Sequence, residues 1–135
     1  MVSLDFRTRT DAGIRDVDTQ SFFADELPAL IAERAALAIA GAQELGVEPF
    51  TIITPSGSWT LALDGTRLHV GRGDHGAACV ELSDADVSDV VNDLKTPMTF
   101  LTAGTLKMAR GNLGDFLDWW VIIRSLIDAR PVHAR

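Results

Sequence analysis

The densest group of residues with chemical potential is Gly71-Arg72-Gly73-Asp74-His75-Gly76, which spells the GxGxxG pattern of dinucleotide-binding loops. That chemistry needs a helix N-terminus directly after the glycines, so that backbone N–H groups converge on a pyrophosphate. Here Ala77-Ala78-Cys79-Val80-Glu81-Leu82 follows, a short apolar run that reads as a strand. The segment is therefore expected to be a flexible loop between antiparallel strands. The embedded Arg72-Gly73-Asp74 has meaning as an adhesion tripeptide only in a secreted protein, and the opening Met1-Val2-Ser3-Leu4-Asp5-Phe6-Arg7 lacks the hydrophobic stretch of a signal peptide.

Metal chemistry fares no better. His69, His75 and His133 are dispersed, Cys79 is the single cysteine, and no pair has ligand spacing, so no metal or other cofactor is expected. Nucleophilic catalysis has neither a GxSxG elbow nor a Cys–His signature, and Ser56 and Ser58 flank a turn. Asp115 and Asp118 lie three apart, as a paired-carboxylate site would have them, but acidic residues in a first helical turn also offset the helix dipole. Lys107 and Arg110 project from a strand and could meet an anionic headgroup; such side chains are more often simply solvated. No catalytic residue is assigned, and the chain is expected not to be an enzyme.

The elements that carry these residues fit one domain in 135 residues. With 19 acidic against 12 basic side chains the formal charge is -7, which disfavours nucleic acid and anionic membrane surfaces as partners. No window has the roughly 18 apolar residues of a membrane span, so no stable membrane anchor is expected. The lone cysteine suits a reducing compartment, and the expected location is cytoplasmic.

Residues 1–17 read as an irregular N-terminal arm, 18–130 as the domain and 131–135 as a tail. Asp18 or Thr19 caps a first helix, and Pro28 restarts a second that Gly46 ends. Phe50–Thr54, Trp59–Leu63 and Thr66–Val70 read as a strand meander, with Asp64-Gly65 as a two-residue turn that sets Leu61 opposite Leu68 and Trp59 opposite Val70. A strand from Ala77 to Leu82 follows. Ser83 then caps a helix with Asp86 as its box partner, Pro97 opens another that Gly104 ends, and Thr105–Arg110 is a further strand. The last helix runs from about Gly114 to Asp128. The class is α+β, a largely antiparallel sheet with helices packed on one face.

That last helix poses a question. Phe116, Leu117, Trp119, Trp120, Val121, Ile122, Ile123, Leu126 and Ile127 wrap nearly its whole circumference. A surface helix needs one apolar stripe. The remainder calls for deep burial, a partner chain or an apolar ligand.

The order of elements resembles the sterol carrier protein type 2 family, most specifically in Gly104-Thr105-Leu106-Lys107-Met108-Ala109-Arg110-Gly111, which is similar to the family's Gly-x-Leu-Lys-x-x-x-Gly strand with Thr105 in place of a usual basic residue. The resemblance covers about residues 18 to 128. It implies a five-stranded sheet and an apolar tunnel beneath the helices that accepts a fatty acid, fatty acyl-CoA, sterol or phospholipid. On that basis the lining candidates are Trp59, Leu61, Leu68, Leu106 and Met108 from strands, with Phe100, Phe116, Leu117, Trp120 and Ile123 from helices. Non-catalytic lipid binding, with or without transfer, is one expectation. The other is an interaction domain with a closed core, filled by Trp119 and Trp120, that forms a homodimer through the closing helix or serves a lipid-metabolising enzyme.

Overall fold

In the computed structural model, which describes residues 15–132, Asp18 opens the helical layer. Its carboxylate accepts the Ser21 N–H at 2.9 Å and caps a single turn, α1 (Thr19–Ser21). That bond holds the Asp18 carboxyl below the usual carboxylate range. A π-helical turn, Phe22–Glu26, runs without a break into α2 (Leu27–Leu45), where the sequence suggested two separate helices. Proline lacks an N–H and crowds the carbonyl four residues before it. The wider turn ahead of Pro28, closed by the Leu27 N–H on the Phe22 carbonyl, absorbs that misfit and keeps the rod continuous. Gly46 ends α2 in the left-handed conformation, φ 66°. Of the expected N-terminal arm, residues 1–14 lie outside the described residues, as do 133–135 of the tail. Val17 is buried and donates its N–H to Ser88 Oγ at 3.1 Å.

Five strands follow: β1 (Phe50–Thr54), β2 (Gly57–Asp64), β3 (Arg67–Arg72), β4 (Ala78–Glu81) and β5 (Met108–Arg110). They lie in the order β3-β2-β1-β4-β5. The central pair β1–β4 is parallel, with Phe50 beside Ala78 and Ile52 beside Val80, so the sheet is mixed rather than largely antiparallel. The cause is the connection after β3. The chain crosses the outer face of β2 and β1 and enters on the far side of β1, running in the same direction.

The β2–β3 hairpin turns on Gly65-Thr66, with Asp64 opposite Arg67, instead of on Asp64-Gly65. Leu61 therefore faces Val70, Leu63 faces Leu68 and Trp59 faces Arg72. The register differs from the expected one by two residues. A slip of one would have turned every side chain over, but a slip of two preserves the apolar face.

Three helices complete the layer. α3 (Asp84–Val91) begins with the Ser83/Asp86 capping box, and α4 (Pro97–Ala103) has proline in its first turn and left-handed Gly104 at its end. α5 (Leu113–Asp128) begins with an Asn112/Asp115 box. The strand expected over Thr105–Arg110 pairs only at Met108–Arg110. The core lies between these helices and the inner face of the sheet, where Phe23 stacks on Trp59 at 5.1 Å and Phe50 on Phe116 at 5.7 Å.

Candidate functional site

The GxGxxG segment is a loop between β3 and β4, and the backbone N–H groups of Gly73, His75 and Gly76 are already used. Thr51 and Thr60 project from the outer face of the sheet, with their hydroxyls 3.0 Å apart. Thr60 Oγ1 takes the His75 N–H at 2.9 Å and donates to the Gly73 carbonyl at 2.7 Å, while Thr51 Oγ1 takes the Gly76 N–H at 2.9 Å. Gly76 must be glycine, since a Cβ there would sit 2.6 Å from Thr51 Oγ1 and from the Ala78 carbonyl. No helix follows, and the amides point into the sheet instead of outward to an anion. The loop thereby buries Thr51 and Thr60, although Thr60 reads in sequence as a solvent-facing strand residue.

Other reactive residues are similarly placed. Arg110 pairs with Asp74 and donates to the Gly76 carbonyl at 3.2 Å, tying the loop to β5. The Arg110 hydrogen bond holds the Asp74 carboxyl low. Cys79 is fully buried, and burial pushes its thiol up, away from the reactive thiolate. Asp115 serves the capping box of α5, taking the Asn112 N–H at 2.9 Å. Among the described residues no three His, Cys, Asp or Glu side chains are grouped to hold a metal ion, and no helix is long and apolar enough to cross a membrane.

Helix α5 is accounted for by burial. Phe116, Trp119, Trp120, Ile122, Ile123 and Leu126 are all inside, and of its large apolar side chains Val121 is the exposed one. Trp119 also satisfies its polar atom, donating the indole N–H to the Glu48 carbonyl at 2.7 Å.

One face of α5 borders an enclosed core pocket. Phe116, Trp119, Trp120 and Ile123 form its floor, and Phe50 and Ile52 of β1 form one side. Phe22 and Phe23 of the π-helical turn, Leu82, and Val87, Val90 and Val91 of α3 close it. Every lining side chain is hydrocarbon or aromatic. Its free space is about 20 Å³, against the ~300–1,000 Å³ of formed ligand pockets. The space is shut.

Three surface clefts share a wall with this pocket. Leu82 separates it from a cleft of about 580 Å³ that also holds Glu81, Asp86 and Lys107. Trp120 separates it from one of about 510 Å³ at the end of α5. Phe22 and Val91 separate it from one of about 440 Å³ beside Arg15, Glu26, Glu33 and Arg34.

Of the sequence-derived lining candidates, Phe116, Trp120 and Ile123 border the core pocket. Trp59, Leu61, Leu68 and Phe100 are buried in the surrounding core, while Leu106, Met108 and Leu117 are half-buried at its margin. The remaining pocket residues were outside that set. Val87, Val90 and Val91 gave a clear helical stripe, but a stripe identifies a core face and not the part of it beside free space.

The sequence matches no protein-family model and no curated protein. Solved structures are similar. Sterol carrier protein 2 from Yarrowia lipolytica, in its apo form, has a TM-score of 0.63 at 19% identity, covering 84% of this chain and 96% of that one. The sterol carrier protein domain 2 of Helicoverpa armigera has a TM-score of 0.56 at 16% identity, covering 84% and 95%. A crystal structure of sterol carrier protein 2 has a TM-score of 0.53 at 10% identity, covering 75% and 95%. Over most of its length, this chain has the fold of sterol carrier protein 2.

Proposed function

We propose that the protein binds an apolar lipid, such as a fatty acid, fatty acyl-CoA, sterol or phospholipid, between the sheet and the helices, without catalysing a reaction on it. The observation that carries this reading is the enclosed pocket with a lining of aliphatic and aromatic side chains, to which the π-helical turn, β1, the β4–α3 turn, α3 and α5 contribute. Phe116, Trp120 and Ile123 are its proposed contacts on α5. A cytoplasmic location fits the same reading.

Occupancy requires the walls to part. Each methylene transferred from water contributes about 0.8 kcal/mol, so a chain of some sixteen carbons has roughly 12 kcal/mol to set against opening. One wall is α3, which Ser88 Oγ fastens to the Val17 N–H at 3.1 Å. Its end is held by Arg124 Nη1 donating to the Val91 carbonyl at 2.8 Å, and by Asn92, whose Nδ2 donates to the Arg15 carbonyl at 2.7 Å. Titration with a fluorescent fatty acid, together with native mass spectrometry, tests the proposal. Saturable uptake at one lipid per chain supports it, and absence of uptake at any concentration below the critical micelle concentration refutes it.

A second reading rests on the free space of only about 20 Å³ and on the burial of both Trp119 and Trp120. In it the core is permanently closed and the domain serves as an interaction module or homodimer, working with a lipid-metabolising enzyme. A lipid-free protein that dimerises on concentration and takes up no fatty acid favours this second reading.

A further inference from the structure

From the lining of the α5 cleft we infer that this cleft seats the anionic head, carboxylate or phosphate, of a single-chain lipid, and that Trp120 is the wall past which the chain enters the core. The inference rests on the lipid-binding reading and narrows it to a head chemistry and a door.

Trp120 lines both spaces and is 7% exposed, so displacing one side chain joins the cleft to the core pocket. The Arg124 guanidinium lies over its ring at 5.5 Å, which places a cation at the junction of aqueous cleft and aromatic wall. The charge pattern selects this cleft over its neighbours. Glu81 and Asp86 outnumber Lys107 in the Leu82 cleft, and Glu26 and Glu33 offset Arg15 and Arg34 in the Phe22/Val91 cleft. Among the described residues, the ionisable ones lining the α5 cleft are Arg124 and Arg130, in a chain of net charge -7.

Both arginines are oriented by one carboxylate, Asp128, with Arg124 Nη2 at 2.7 Å from Oδ1 and Arg130 Nη2 at 2.8 Å from Oδ2. Two guanidiniums on one carboxylate leave a net positive charge, and a guanidinium offers five N–H donors. Ser125 adds a further donor. It lines the cleft, is 4% exposed, and its hydroxyl has no hydrogen-bond partner. A helix C-terminus ordinarily repels an anion. Here Arg34 Nη1 covers the Leu126 and Ile127 carbonyls at 2.7 and 3.1 Å, which removes much of that repulsion.

The test compares oleate, oleyl alcohol and inorganic phosphate as competitors of a fluorescent fatty acid on the full chain, for the wild type and for Arg130→Gln, a surface change that leaves the core intact. Oleate is expected to bind about tenfold more tightly than oleyl alcohol, Arg130→Gln is expected to remove most of that difference by weakening oleate alone, and phosphate is expected to compete only weakly. Equal binding of oleate and oleyl alcohol, unchanged by Arg130→Gln, overturns the inference and leaves lipid binding standing. Phosphate that competes as well as oleate makes the cleft a free-anion site and also overturns it. Failure of both lipids to bind is failure of the lipid-binding reading itself. For the door, Trp120→Phe is expected to change the association rate of oleate; a change with Leu82→Phe but not with Trp120→Phe places the door at Leu82 and overturns that half.

Discussion

Val132 seats its side chain in a notch over Gly41, where a Cβ on the glycine would lie 2.3 Å from Val132 Cγ1. The Val132 N–H also donates to the Leu37 carbonyl at 3.1 Å, so the chain beyond α5 is laid across α2. Gly41→Ala is expected to cost about 1–3 kcal/mol as an overpacked contact, or to expel the tail. Urea denaturation distinguishes this from a benign helix-favouring change: a midpoint equal to or above that of the wild type refutes the tight contact.

Trp119 and Glu48 give a second prediction. Trp119→Phe leaves the Glu48 carbonyl without its indole donor and removes ring volume from a fully buried site. The expected loss is about 2–4 kcal/mol, combining an unsatisfied acceptor with a small cavity. Chemical denaturation measures it, and a loss below about 0.5 kcal/mol would show that the bond contributes nothing.

Asp86 closes the start of α3 by taking the Ser83 N–H at 3.4 Å and by pairing with Lys95 at 2.9 Å. Burial alone would raise its carboxyl, but the bonds from Lys95 and Ser83 outweigh burial and lower it. A lowered carboxyl contributes its stability above the ordinary aspartate value and loses it as pH falls through the folded value. The Asp86 hydrogen bond raises Lys95 in turn, so the lysine's share is lost only as pH climbs through a value above 10.5. Asp86→Asn is expected to lower stability by roughly 0.5–2 kcal/mol near neutrality and to flatten the decline below about pH 4. Urea melts across that range check it, and an acid limb as steep as the wild type's would rule out this role.

Leu82 stands between the core pocket and the cleft that holds Lys107. Leu82→Ala is expected to destabilise the fold by about 2–5 kcal/mol and to raise fluorescence of an apolar dye by opening the wall. Dye binding at the wild-type level in a variant still folded by circular dichroism would show that the wall collapses inward instead.

Much of the architecture was legible locally. The Ser83-to-Asp86 box, Pro97 with Gly104, and the alternation through β2 and β3 each act within a few residues of sequence, and the structure uses them all. The mixed sheet was hidden because nothing in Phe50–Thr54 records that its second neighbour is Ala78–Glu81, running the same way. Gly71–Gly76 shows the converse. The following strand already argued against a phosphate loop, but the reason the glycines are needed, close passage over Thr51 and Thr60, exists only once the sheet is assembled. For the pocket, the over-apolar α5 is one of the elements that line it. Which of its faces borders the void depends on how Phe22, Val87 and Leu82 pack across from it.

The parallel β1–β4 pair also orders the events by which the chain reaches this shape. Thr54 and Ala78 are joined through the β2–β3 hairpin, so forming that hairpin first shortens the loop that pairing of β1 with β4 must close. Non-local pairing of this kind closes a long loop before any contact rewards it. The barrier is expected to fall at that closure. Conservative truncations at Leu63 and Leu68 should then slow folding, while those at Ile52 and Val80 should chiefly speed unfolding, an order that φ-values from stopped-flow kinetics would reveal or reverse.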